Sequence, residues 1–251
     1  MTTTKPLRPR AGAFRRHFSG RVDPLTSAIL VFPLFLTYQL GILGGHGQNG
    51  VDLVTRALIE LCKHDLANYL LALAAMLVGY AAILVILRHH GSFHPNRFLP
   101  VLLESGFYAL SMGSLILFAM SKVTSFFPGL SVPVLPELAT GNASPLDILV
   151  ISAGAGLHEE LVFRVVVMGG LAWLLSGIGA RSAWLVALVV SSLVFSLAHH
   201  LGPMGEPFAF AAFIYRTLAG VFFAIVYQVR GFAVAAWTHA LYDLYVLGIL
   251  A

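Results

Sequence analysis

His158-Glu159-Glu160-Leu161-Val162-Phe163-Arg164 lies inside an apolar run, residues 146–175, that is long enough to cross a bilayer. A membrane helix needs about 20 predominantly apolar residues, and ionisable groups buried at that depth are costly enough to be functional candidates by default. Here two carboxylates, an imidazole and a guanidinium share one such run. Two later apolar runs carry polar pairs of their own, Phe195 to His200 and His239 to Asp243. Glutamates and histidines on separate membrane helices predict an active site built in lipid.

Composition agrees with that reading. The chain has 251 residues, 58% hydrophobic and only 10% charged, against roughly 25% charged in an average soluble domain. The fold class expected is all-α, a polytopic bundle of about seven transmembrane helices, from apolar runs at roughly 26–45, 69–88, 98–121, 146–175, 183–201, 208–228 and 231–250. The fourth run exceeds what the bilayer demands, so it is expected to tilt, to kink near Gly154 and Gly156, or to begin outside the membrane. The 46–68 connection is polar and predicts a short interfacial helix around Leu53 to Lys63. The Pro- and Gly-rich 122–145 segment reads as an irregular external loop. One cysteine, Cys62, excludes an internal disulfide and reads as a small apolar residue.

Residues 1–22 form a basic arm carrying Lys5, Arg8, Arg10, Arg15, Arg16 and Arg21, and residues 23–251 form one transmembrane domain, with the site-bearing core at about 146–250. No aromatic or groove-reading motif accompanies the arm, so a nucleic-acid partner is not expected. The first apolar run is longer than the roughly 7–15 residues of a signal-peptide core, and others follow it, so a cleavable leader is not expected either. With the arm cytoplasmic and seven spans, the six arm residues plus Arg88, Arg97, Arg181 and Arg230 fall on the cytoplasmic side, and Arg56, Lys63 and Lys122 on the other. Ten against three follows the positive-inside rule and predicts a multi-pass protein of a bacterial inner membrane type, with its N-terminus cytoplasmic and its site in the middle to outer half of the bilayer.

Spacing assigns the chemistry. Glu160 and Arg164 are one helical turn apart and can pair, which leaves Glu159, about 100° away, for another task. Beside imidazoles in a water-poor cavity, Glu159 suits a general base that takes a proton from water. His239 and Asp243, also one turn apart, suit donors aimed at a developing oxyanion, provided Asp243 is neutral. Glu160 and Arg164 read equally well as a structural buried pair or as direct participants. His158 and His200 read as packing or hydrogen-bonding residues on other faces. His89, His90 and His94 read as a solvated basic loop, and Gly220 with Ala224 as a helix-packing pair. For Arg216, an anchor for a carboxylate and a residue without such a role stand open.

The pattern resembles the CAAX protease and bacteriocin-processing (Abi) family of intramembrane glutamic endopeptidases. Its Glu-Glu-x-x-x-Arg motif is met by Glu159, Glu160 and Arg164, its Phe-x-x-x-His by Phe195 and His199, and its His-x-x-x-Asn/Asp by His239 and Asp243. The resemblance implies that Glu159 and His199 activate water, that His239 and Asp243 stabilise the oxyanion, and that Glu160 and Arg164 support the first helix. It implies no cofactor and no metal, and a membrane-associated protein or peptide as substrate, with a C-terminal sorting tag or anchor of an exported protein, as in the myxosortase branch, as the candidate. A prenyl-protein (CAAX) processing protease is the variant on the same chemistry.

Two other classes compete. A zinc protease would use one glutamate and two histidines, but the His-Glu-x-x-His helix signature is absent. A non-enzymatic membrane protein, a proton-coupled carrier or a bacteriocin-immunity factor, would use the same groups to relay protons or grip a ligand, but the paired broken helices or repeated halves of many carriers are absent.

Overall fold

The computed structural model describes residues 20–47, 51–126, 143–202 and 205–250. Most of the basic arm and most of the 122–145 connection lie outside those residues. Among the described residues every regular element is helical, as hydrocarbon requires of a chain whose backbone must satisfy its own hydrogen bonds. Five helices are long and apolar enough to cross a membrane: α1 (Pro24–Leu43), α3 (Leu66–Arg88), α4 (Phe98–Phe126), α7 (Ala180–Ala198) and α8 (Phe210–Arg230). The other two apolar runs, those with the first and last polar motifs, are helical but change pitch along their length.

Short polar residues set the helix starts. Asp23 caps α1 by accepting Thr26 N at 2.9 Å, with Pro24 at the first helical position. Asp52 accepts Val54 N and Thr55 N at 3.0 Å and opens the short α2 (Leu53–Leu61). Asp65 accepts Asn68 N at 2.8 Å at the head of α3. Each satisfies backbone donors that the helix itself leaves open. A short helix therefore forms where one was expected from Leu53, ending at Leu61 rather than Lys63, and Lys63 and His64 follow it with left-handed backbone angles, φ 53° and 57°.

The long fourth run begins as α5 (Pro145–Gly154), fixed by a reciprocal capping box between Ser144 and Asp147. It then widens into π-helical turns at Ala155–Glu159 and Leu161–Met168 and closes as α6 (Gly169–Leu174). Such widenings are rare and often sit at functional sites. The glycines here make room for neighbours. A Cβ on Gly156 would collide with Ala236 O and lie 2.7 Å from Ala240 Cβ, and one on Gly154 would enter the Tyr38 ring.

The helix that Gly156 admits is α9 (Phe232–Tyr245), which continues into a π turn at Val246–Leu250. It is the centre of the bundle, packed by α1, α4, α5, α8 and the first π turn. Ala233, Val234, Ala235 and Ala236 are fully buried, and small side chains of this kind let membrane helices approach closely. Trp237 Nε1 donates to Leu30 O at 2.8 Å, and Ser105 Oγ donates to Val234 O at 3.2 Å, tying α9 to α1 and α4. By contrast α3 exposes nearly all of its apolar surface. It is held to α1 by Tyr80 against Phe32 and Phe35 and by Tyr69 Oη donating to Gln39 Oε1 at 2.6 Å.

One end of the bundle is closed by a buried ion pair. Arg230 donates from Nε and Nη2 to the Glu104 carboxylate at 2.6 and 3.1 Å, and Tyr108 Oη donates to the same carboxylate at 2.9 Å. Arg230 Nη1 also donates to Gly20 O, and Val22 N to Arg230 O at 2.8 Å. The chain turns from α8 into α9 at Gly231, whose φ of 97° suits glycine. Glu104 thus has a structural place in the molecule.

Candidate active site

The widened helix presents Glu159 and Glu160 in succession, and both are buried, 2% and 0% exposed. Arg164, one turn on, donates to Glu160 from Nε at 2.9 Å and from Nη2 at 3.4 Å. A carboxylate and a guanidinium so deeply buried need each other, since either alone would be an uncompensated charge. Arg164 Nη1 has no hydrogen-bond partner, and the guanidinium lies over the rings of Phe195 and Phe223, at 4.9 and 5.9 Å from their centroids. Electron-rich ring faces supply the missing attraction.

Glu160 reaches further than that pair. His239 Nδ1 donates to Glu160 Oε1 at 2.9 Å, so the first and last motifs meet on one carboxylate. That bond fixes the ring and turns Nε2 toward Asp243 Oδ2, 3.6 Å away. Stacking on Phe223, with centroids 4.3 Å apart and planes at 18°, holds the imidazole from its face. Phe195 meets the same ring edge-on at 5.9 Å.

His199 comes from the turn that follows α7, one residue past its last helical position. Its Nδ1 lies 2.9 Å from Phe195 O, which can only accept, so Nδ1 carries a proton and Nε2 is the ring nitrogen left for another partner. That nitrogen faces Glu159 Oε2 at 3.7 Å. Phe195 packs against the His199 ring at 4.9 Å. Glu159, His199, Glu160, Arg164, His239 and Asp243 are therefore one cluster, arranged as a Glu159–His199 pair and an Arg164–Glu160–His239–Asp243 line.

The flanking residues go elsewhere. His158 turns toward α2, with Nδ1 3.4 Å from Asp52 Oδ2 and its ring 5.0 Å from that of Tyr38. His200 donates from Nδ1 to Glu206 O at 3.3 Å and packs on Phe208. A Cβ on Gly220 would lie 3.0 Å from Ser192 Cα, so Gly220 is a close-packing point between α8 and α7. Among the described residues no three His, Cys, Asp or Glu side chains are grouped to hold a metal ion. Sequence reasoning missed the Glu160–His239 bond and the Phe223 stack. No spacing rule signals either, because both partners come from other helices and phenylalanine is abundant throughout.

Carboxylates and imidazoles are gathered inside a bundle of apolar helices, the arrangement expected of a site built within a membrane. Residues 141–245 match the family described as type II CAAX prenyl endopeptidase Rce1-like, and all three motifs fall within that match. The similarity is confined to this segment, and because that family consists of proteases it supports peptide-bond hydrolysis as the class of activity. No curated protein and no solved structure matches the chain.

Proposed function

We propose that the chain is an intramembrane glutamic endopeptidase in which Glu159 and His199 activate water, and His239 with Asp243 stabilises the oxyanion. The observation that carries the reading is the approach of Glu159 Oε2 and His199 Nε2, 3.7 Å apart, with His199 Nδ1–H committed to Phe195 O; in the proposed resting state the ring is neutral and both atoms accept. A water lying off their axis donates one hydrogen to each and directs its lone pair at a substrate carbonyl. Glu159 takes one proton as the oxygen attacks. The carbonyl π electrons move to its oxygen, which accepts hydrogen bonds from His239 Nε2 and Asp243. Glu160, held by Arg164, fixes His239 Nδ1–H and so aims Nε2 at the oxyanion, where in the proposed scheme it carries the second proton. Collapse reforms the carbonyl, breaks the C–N bond and passes the proton from Glu159 to the leaving amine. No metal or cofactor takes part in the scheme.

The substrate proposed is a membrane-associated protein, with a C-terminal sorting tag or anchor of an exported protein as the candidate. The ten-to-three division of basic residues supports a cytoplasmic N-terminus in a bacterial inner membrane type of topology, and hence a site nearer the outer face. The matched family's description favours a prenylated protein as the second reading. Comparing membrane and secreted proteomes with and without the protein, and with Glu159→Gln, tests both. A new terminus on an exported protein supports the first, and one on a lipidated cytoplasmic protein the second. Identical proteomes count against either.

A further inference from the structure

Beyond the catalytic cluster, one buried cation stands in a place that substrate binding explains and packing does not. Arg216, in the second turn of α8, has a side chain only 10% exposed. Its partner is Glu206, whose two carboxylate oxygens both lie 2.6 Å from the same nitrogen, Nη2. A structural Arg–carboxylate pair would use two nitrogens as a parallel fork. Here Nη1 is left buried with no hydrogen-bond partner, a donor that the Glu206 pair does not satisfy. Arg164 has a similar nitrogen, but two aromatic faces cover its guanidinium.

Position gives the open donor its meaning. Glu206 N donates to His199 O at 2.9 Å, so the ion pair begins at the turn that carries His199. Tyr215, next to Arg216, is hydrogen-bonded to Tyr242, next to Asp243. Arg216 is thus bracketed by the two halves of the site, through the His199 turn on one side and the Tyr215–Tyr242 contact on the other. Glu206, with 40% of its side chain exposed, forms the outer wall of the pair.

We infer that Arg216 is a carboxylate-binding subsite of the active site, taking on Nη1 a carboxylate of the substrate, either a free C-terminus or an Asp or Glu side chain near the scissile bond. Glu206 is the resting counter-ion that moderates this binding. The inference rests on the endopeptidase reading for the identity of the ligand, and its test is separable from that reading.

The probe is an N-terminally labelled apolar octapeptide made as the free acid, as the C-terminal amide, and as an amide with one internal Glu. Its binding to the full chain in detergent micelles is followed by fluorescence polarisation, with Glu159→Gln present to prevent turnover. The free acid or the internal-Glu amide should bind at least about tenfold more tightly than the neutral amide, and which of the two does so identifies the source of the carboxylate. Adding Arg216→Gln should abolish that difference while the neutral amide still binds. Adding Glu206→Gln, which keeps the guanidinium and removes its counter-ion, should tighten the carboxylate peptide by about threefold or more. Equal binding of all three peptides overturns the inference, as does a preference that survives Arg216→Gln or is unmoved by Glu206→Gln. If the preference holds but protein with Glu159 intact cleaves none of the peptides, the subsite stands and the endopeptidase reading falls.

Discussion

His239 Nδ1 donates to Glu160 Oε1 across 2.9 Å, joining helices whose motif residues are 79 positions apart in the chain. Glu160 is therefore both the counter-ion of Arg164 and the residue that orients the last motif's imidazole. Glu160→Gln keeps the shape but leaves Arg164 unpaired, so it should lower stability in detergent by about 3–5 kcal/mol, the usual cost of breaking a buried pair. Arg164→Met with Glu160→Gln should recover part of the stability but little activity, because His239 would still lack its carboxylate. Thermal unfolding and turnover, measured side by side, check this. Full activity in the double variant would show that the line serves packing alone.

The Asp243 prediction turns on which group donates. If a protonated Asp243 gives a hydrogen bond to the oxyanion beside His239, Asp243→Asn supplies an equivalent N–H and should keep substantial turnover. Asp243→Ala should lose roughly 10²–10³-fold. Steady-state kcat on any cleaved peptide settles the comparison. Equal loss in Asn and Ala would mean that an ionised carboxylate is needed, and the oxyanion role would be withdrawn.

Gly156 offers a test away from the charged groups. Gly156→Ala places a methyl against Ala236 O and Ala240, which should force the widened helix off α9, cost about 1–3 kcal/mol and reduce turnover by stretching the Glu160–His239 bond. Gly170→Ala, where a Cβ meets nothing within 4 Å, should be neutral or raise stability by up to about 1 kcal/mol. The unfolding midpoint of Gly156→Ala should therefore fall clearly below that of Gly170→Ala, which should not drop below the parent. Equal midpoints would contradict the close-approach argument.

Much of this was legible from the residues. Glu160 and Arg164 meet at one helical turn, as do His239 and Asp243, and the apolar runs locate the helices to within a few residues. The exceptions have local physical causes. The α4 helix continues to Phe126, past the apolar run that ends near 121, and Ser121, Thr124 and Ser125 are accommodated in that last stretch by turning their hydroxyls onto carbonyls one turn back. His199 lies just beyond its helix, in a turn that apolarity alone does not reveal. The irregularity expected near Gly154 and Gly156 falls where the helix changes pitch, but that it takes the form of a π turn over Ala155–Glu159 is not something residue type marks. Long-range partnerships such as Phe223 with His239 depend on how helices cross, which hydrophobic periodicity does not encode.

Chelation provides a further check on the chemistry. Protein purified in detergent should stay active after exhaustive treatment with a strong chelator and should contain no stoichiometric zinc. Metal at about one ion per chain, with activity restored only by its return, would favour the zinc rival.

Topology is open to reporter fusions. The distribution of Lys and Arg leads us to expect the N-terminus in the cytoplasm and Ala251 outside. Reporters placing both ends on one side would mean that one of the seven helical runs does not span, with the pitch-changing 146–175 run the first to re-examine.

The most direct test of the central claim is the turnover of Glu159→Gln in protein shown to be folded and membrane-inserted. Gln preserves the volume of the side chain facing His199 but cannot take a proton from water, so proteolysis should fall by roughly 10²–10⁴-fold, the range typical of a lost general base, and His199→Ala should fall similarly. Retention of more than about a tenth of the activity in Glu159→Gln would contradict water activation by this carboxylate.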